Sequence, residues 1–162
     1  MSRDDIRRLL PEMEKSCFSD VLRPEHIILD LQADCLEQVY AELISTLVSD
    51  SKPEMRRLCL QDILDREKTA STFLGHGVAL PHSISGGVKS LKAALGLKTQ
   101  GFVCQQNRIN IFLLCLCPEE QHRRYLHFIY RAANILLMPE NRQDLLLANS
   151  TAQALEIMQI AY

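Results

Sequence analysis

The chain has no tryptophan, and aromatic residues make up only 6 % of its 162 positions. Its core must therefore be built mainly from aliphatic side chains. No apolar run approaches the ~18 residues that a membrane-crossing helix needs, so membrane insertion is not expected. Opposite charges nearly cancel, with 18 Lys plus Arg against 20 Asp plus Glu. That balance excludes the strongly basic surface of a dedicated nucleic-acid binder. The pairs Arg56-Arg57 and Arg123-Arg124 fit solvated helix faces. The first residues, MSRDDIRRLLPEMEK, contain no apolar signal core. Six cysteines occur, but none forms a C-x-x-C pair. Cys115 and Cys117 lie two apart in an apolar run and should share one face of a strand as buried thiols. A metal site is not expected, and a reducing, cytoplasmic setting is.

The recurring pattern is short strands alternating with helices. Arg3–Leu10 fits a short helix within an N-terminal extension over residues 1–21. Ile27 to Leu31 reads as a strand. A helix capped by Asp34 should follow, with Leu36, Val39, Tyr40, Leu43, Ile44 and Leu47 on one face. Ser51-Lys52-Pro53-Glu54 has the spacing of a capping box, and the helix behind it should stop near Arg66-Glu67. Lys68 to Gly77 reads as a loop, Val78–Leu80 as a brief strand halted by Pro81, and Ser83 to Gly87 as a turn. Leu91–Leu97 and Asn110–Cys117 are further strands; the second lacks alternation and should be covered on both faces. Helical spacing returns from Leu126 to Leu137, breaks at Pro139–Asn141, and resumes after a second capping signal at Ser150. The whole reads as a single α/β sandwich around a central sheet.

Nucleotide cradles are missing: there is no Walker loop, and Gly75-His76-Gly77 lacks the third glycine of a dinucleotide fingerprint. Of the five histidines, His82 has the best context. It follows a short strand and the rigid Pro81, where loops carry function. Upstream stand the hydroxyls of Thr69, Ser71 and Thr72 and two glycines, with Arg66 at the end of the preceding helix. Neutral imidazole is a good nucleophile near neutral pH. A phosphoryl group in transit needs positive charge and N–H or O–H donors around its oxygens. Imidazole, guanidinium and hydroxyls together therefore suit a phosphoryl acceptor that takes its load from another phosphorylated protein.

The segment from Arg66 to His82, REKTASTFLGHGVALPH, resembles the signature of fructose/mannitol-type enzyme IIA domains of the bacterial phosphotransferase system. In that family the pattern runs roughly R-E-x-x-(G)-S-T-x-(I/L)-G-x-G-(V/I)-A-(I/L)-P-H. The run Ile111–Pro118 and the helix after it are also similar, so the resemblance covers residues 22–162. It implies a three-layer α/β domain, a mixed central β-sheet with helices on both faces. It further implies His82 as the phosphorylated histidine, Arg66 as its support, and Ser71 and Thr72 as the hydroxyl pair. A transferase component with a phosphohistidine intermediate and no cofactor follows. The donor would be an HPr-like phosphocarrier protein; the recipients would be regulatory target proteins, as for the nitrogen-regulatory enzyme IIA, or a separate IIB component of a sugar transporter. An interaction module that is no longer phosphorylated is a third possibility. The chain departs from the pattern at Ala70 and Ser83, where glycine is common, and at Tyr125, where many members carry a second histidine. His122, three residues before Tyr125, is a candidate to compensate, and His76 a candidate to approach the phosphoryl group. His122 and His127 otherwise read as solvated helix surface, and His26 as structural.

Overall fold

A computed structural model of the chain describes residues 20–50 and 52–160. The expected helix at Arg3–Leu10, most of the extension over residues 1–21, Cys17 and Ser51 lie outside the described residues. Six strands form one mixed sheet: β1 (Leu22–Ile28), β2 (Phe73–Gly75), β3 (Val78–Ala79), β4 (His82–Ile84), β5 (Lys92–Cys104) and β6 (Asn107–Cys117). The described helices are α1 (Leu36–Leu47), α2 (Pro53–Thr69), α3 (His122–Leu137), α4 (Pro139–Leu147) and α5 (Thr151–Ile160). None is long and apolar enough to cross a membrane.

Strand β6 organises the domain. Its Ile111, Leu113, Cys115 and Cys117 point into a core shared with α3, α4 and α5. Phe112, Leu114 and Leu116 point into a second core shared with α1 and α2. All seven are buried, which is why the run shows no alternation in sequence. At about 1.5–3 kcal/mol per fully buried large apolar side chain, these two cores outweigh any cap or turn in the chain. The mixed sheet thus has helices on both faces, as expected.

Along its length β6 pairs antiparallel with β5 on one side. On the other side it pairs parallel with β3 and then with β4. These two short strands lie end to end: Val78 opposes Ile111 and His82 opposes Cys115. The interruption falls at Leu80-Pro81, where proline has no N–H to donate. Pro81 still keeps the line in register, because its carbonyl accepts the Cys115 N–H at 2.9 Å.

Several boundaries differ from the sequence reading. Strand β1 runs Leu22–Ile28 rather than Ile27–Leu31. Lys52, not Ser51, is the N-cap of α2, with Pro53 in its first turn. That helix continues to Thr69, past Arg66-Glu67, because the Thr69 hydroxyl donates to the Arg66 carbonyl at 2.6 Å and Lys68 pairs with Asp65 at 3.2 Å. Cys35 rather than Asp34 is the N-cap of α1. Pro139 breaks α3 but opens α4, a helix the pattern did not indicate; proline is tolerated there because first-turn N–H groups have no helical acceptor. The stretch read as a loop contains the hairpin β2–β3, and the stretch read as a turn begins with β4.

The β2–β3 turn is strained. Gly75, His76 and Gly77 all have positive φ, at 82°, 54° and 78°. Gly77 also faces β6: its carbonyl accepts the N–H of Asn110 at 2.8 Å and of Ile111 at 3.0 Å. A Cβ there would sit 2.8 Å from the Asn110 side-chain oxygen. Gly77→Ala should therefore lower stability by about 1–3 kcal/mol, seen as a reduced urea midpoint at unchanged slope. An unaltered midpoint would show that the turn can relax.

Candidate functional site

Helix α2 and strand β4 meet where the sequence places its most reactive residues. Gly87, just beyond β4, lets the chain lie directly against α2: a Cβ would overlap Cys59 Sγ and stand 3.1 Å from the Met55 carbonyl. That close approach lays the end of α2 over the first residue of β4. Arg66 in the last turn of the helix thereby faces His82.

The His82 ring is half-buried and held at both nitrogens. Its Nδ1 is 2.8 Å from the Leu80 carbonyl. A carbonyl only accepts, so Nδ1 carries the proton and Nε2 the lone pair. That lone pair faces Arg66 Nη2 at 3.4 Å. The guanidinium is itself pinned, Nη1 donating to Thr69 Oγ1 and to the Ala70 carbonyl, each at 3.2 Å. Burial lowers the His82 pKa from its ordinary 6.5, and the Arg66 charge lowers it further. The Leu80 carbonyl and Glu67 oppose this without reversing it. The ring is thus neutral near pH 7, with a directed lone pair beside a fixed cation.

Tyr125 forms the far wall. It is buried in the first turn of α3, its ring centroid 5.5 Å from that of His82. Burial pushes its phenol pKa up, so it stays a neutral O–H group. His122 is exposed one turn earlier, 5.7 Å from Tyr125 between ring centroids. His127 is exposed on the same helix.

The remaining candidates divide. Ser71 is exposed, and its Oγ accepts the Phe73 N–H at 3.2 Å. Thr72 is buried and donates its hydroxyl to the Glu67 carboxylate, while its carbonyl accepts the Leu80 N–H at 3.0 Å. Its hydroxyl is thus turned to Glu67 rather than offered to the imidazole. His76 is the clearest correction. The adjoining Gly77 bonds to Asn110, whereas His82 opposes Cys115. Five residues of strand separate these points, about 17 Å, so His76 does not approach the ring. His26 is half-buried on β1, and its Nδ1 has no hydrogen-bond partner among the described residues.

Two departures from the family pattern prove harmless to the backbone. Ala70 has φ −162°, extended geometry open to any residue. Ser83 lies within β4. What residue types could not show is the Leu80 carbonyl that sets the His82 tautomer; the interrupting Pro81 was its only trace. Cys115 and Cys117 do share one face as buried thiols. Among the described residues no group of three or more His, Cys, Asp or Glu could hold a metal ion.

Comparison with known proteins bears on the family and the fold. The family model for the phosphoenolpyruvate-dependent sugar phosphotransferase system, EIIA 2, matches residues 20–160. A nitrogen regulatory protein of Bradyrhizobium diazoefficiens is 27 % identical over 85 % of this chain and 91 % of its own length. The fructose-specific EIIABC component of Bacillus subtilis is 24 % identical over 87 % of this chain, which spans only 23 % of that larger protein. Among solved structures, the nitrogen regulatory protein IIA-Ntr of Neisseria meningitidis superposes with TM-score 0.77 at 23 % identity, covering 86 % of this chain and 97 % of that one. The IIA mannitol protein of Escherichia coli gives 0.67 at 22 % identity, covering 83 % and 96 %. With nearly the whole described chain matched, this protein belongs to the EIIA type-2 family of the phosphoenolpyruvate-dependent sugar phosphotransferase system.

Proposed function

We propose that the protein is a phosphocarrier whose His82 Nε2 accepts a phosphoryl group from a phosphorylated HPr-like protein. The supporting observation is the clamp on the ring: the Leu80 carbonyl holds the proton on Nδ1 and turns the Nε2 lone pair toward Arg66. In transfer, the donor's bond to phosphorus breaks as the Nε2–P bond forms. Nδ1 keeps its proton, and the positive charge that develops on the ring is held by the Leu80 carbonyl. Arg66 shifts from the nitrogen to the phosphoryl oxygens, where its charge meets the charge in transit. The Ser71 hydroxyl and the Tyr125 phenol supply further donors. Thr72 acts at one remove, holding Glu67 and the loop.

The onward role follows the nitrogen-regulatory relatives. The phosphorylated and unmodified forms bind regulatory target proteins differently, in the cytoplasm. A phosphoryl group adds about −1.5 to −2 charge at the docking face, enough to alter partner choice. The similarity to the fructose-specific component supports a second reading, delivery of phosphate to a separate IIB protein. A mannitol IIA has been solved in complex with phosphorylated IIB. Tyr125 favours a third, a module that binds without being phosphorylated, since a phenol supplies no positive charge. Incubation with phosphoenolpyruvate and the two general transfer proteins separates the first two readings from the third, and onward transfer to a IIB protein separates the second from the first. An acid-labile phosphorylated species is expected; its absence would leave only the third.

The lowered His82 pKa has a definite sign. A depressed value keeps the lone pair available as pH falls, so the midpoint of protonation should lie below the ordinary 6.5. Imidazole NMR should show a midpoint under that value, with the proton on Nδ1 in the neutral form. A midpoint above it would contradict the burial and guanidinium effects described.

A further inference from the structure

Arg66 and Glu67 are consecutive in the last turn of α2, and they grip the loop that follows at different points. Arg66 Nη1 takes Thr69 Oγ1 and the Ala70 carbonyl. Glu67 accepts the hydroxyl of Thr72, a buried side chain. Helix stability gives no reason for an acid at this position, because the negative end of the helix dipole disfavours it. Nor does Glu67 form an ion pair among the described residues to offset that cost.

From Thr72 the contact continues to the reactive ring. The Thr72 carbonyl accepts the Leu80 N–H at 3.0 Å. The Leu80 carbonyl in turn accepts the His82 Nδ1 proton at 2.8 Å. Three hydrogen bonds in series therefore join the Glu67 carboxylate to the imidazole nitrogen that must keep its proton. Both intermediate residues, Thr72 and Leu80, are buried, so water is a poor substitute for either link.

We infer that Glu67 is a positioning residue for phosphoryl transfer, acting through Thr72 and Leu80 to hold the carbonyl that fixes the His82 ring. The inference rests on the reading of His82 given above. Under that reading Arg66 turns to the phosphoryl oxygens, and the swing pulls on its own bonds to Thr69 and Ala70. The bond between Glu67 and Thr72 takes no part in that exchange. It keeps the Leu80 carbonyl against the ring while positive charge develops there. Pairing of Phe73 with Ala79 in the β2–β3 hairpin supports the same stretch, so losing the Glu67 link loosens Leu80 rather than freeing it.

The test compares Thr72→Val and Glu67→Ala, with Thr72→Ser as the variant that restores the hydroxyl. Ring nitrogen-15 shifts of His82 in the unphosphorylated chain, recorded above its midpoint, report the tautomer. Single-turnover phosphorylation at varied donor concentration separates the transfer step from donor binding. Thr72→Val and Glu67→Ala should each move part of the proton from Nδ1 to Nε2. Each should slow the transfer step about tenfold at unchanged donor affinity. Thr72→Ser should behave like the wild type. The double variant should be no slower than either single one, because both changes break the same link. A purely electrostatic role gives a different pattern: Glu67 raises the His82 pKa, so only its removal, and not Thr72→Val, would act. Glu67→Ala alters a half-buried site where the dipole disfavours an acid, so it should fold whether or not Thr72→Val does. Wild-type tautomer and rate in Glu67→Ala, or a Thr72→Ser protein as slow as Thr72→Val, would overturn the inference. A wild type that takes no phosphate would instead remove the reading of His82 on which it rests.

Discussion

Replacing His82 by alanine should reduce phosphoryl incorporation from about one group per chain to background. No other imidazole can take its place. His76 is about 17 Å away along the sheet, and His122 and His127 lie exposed on α3, whereas the Arg66 guanidinium faces His82 Nε2 at 3.4 Å. The variant should stay folded, because the ring is half-buried and its shortest hydrogen bond, at 2.8 Å, is to a backbone carbonyl. Losing such a bond costs about 1 kcal/mol, against roughly 5–15 kcal/mol for a domain. Mass spectrometry after incubation with phosphoenolpyruvate and the transfer proteins gives the result, with circular dichroism as the folding control. Undiminished incorporation in a folded His82→Ala protein would remove the acceptor from the site.

Arg66→Ala should slow transfer about 100- to 1,000-fold, the usual effect of deleting one fixed donor from a charge-stabilising site. Three contacts make this guanidinium hard to replace: Thr69 Oγ1, the Ala70 carbonyl and His82 Nε2. Arg66→Lys keeps the charge but not the planar fork that spans them, so it should recover only part of the rate. A second readout distinguishes a direct role from a loosened loop. Arg66 lowers the His82 pKa, so its removal should move the imidazole midpoint upward. Slowed transfer with an unmoved midpoint would mean that the arginine only holds the loop together.

Much of the architecture was legible because burial leaves a simple trace. The run Asn110–Cys117 announced a strand covered on both faces, and Ile111 to Cys117 are all buried. The three- and four-residue spacing from Leu36 to Leu47 announced α1. Errors fell where local chemistry decides. The end of α2 depends on a threonine bonding back to a carbonyl, and α4 begins at a proline that also ends α3. Strands β2 and β4 are three residues each, too short for any periodicity. At the site, residue types indicated His82 and Arg66 as neighbours, and the structure holds them together. Proximity along the chain misled for His76, because the hairpin carries it away along β6. Nor could residue identity show that Thr72 is occupied by Glu67.

Strand β4 has a last implication. It is laddered onto β6, and its first side chain is gripped from two directions. Under the proposed chemistry, that stiffness leaves little scope for loading to reshape the backbone around the ring. The loaded and unloaded proteins would then present nearly the same silhouette. A partner telling them apart would sense a local electric field, one that fades over about 8 Å at physiological ionic strength. Recognition of this kind is short-ranged and salt-sensitive, and it asks the partner to bring its own cation to the rim.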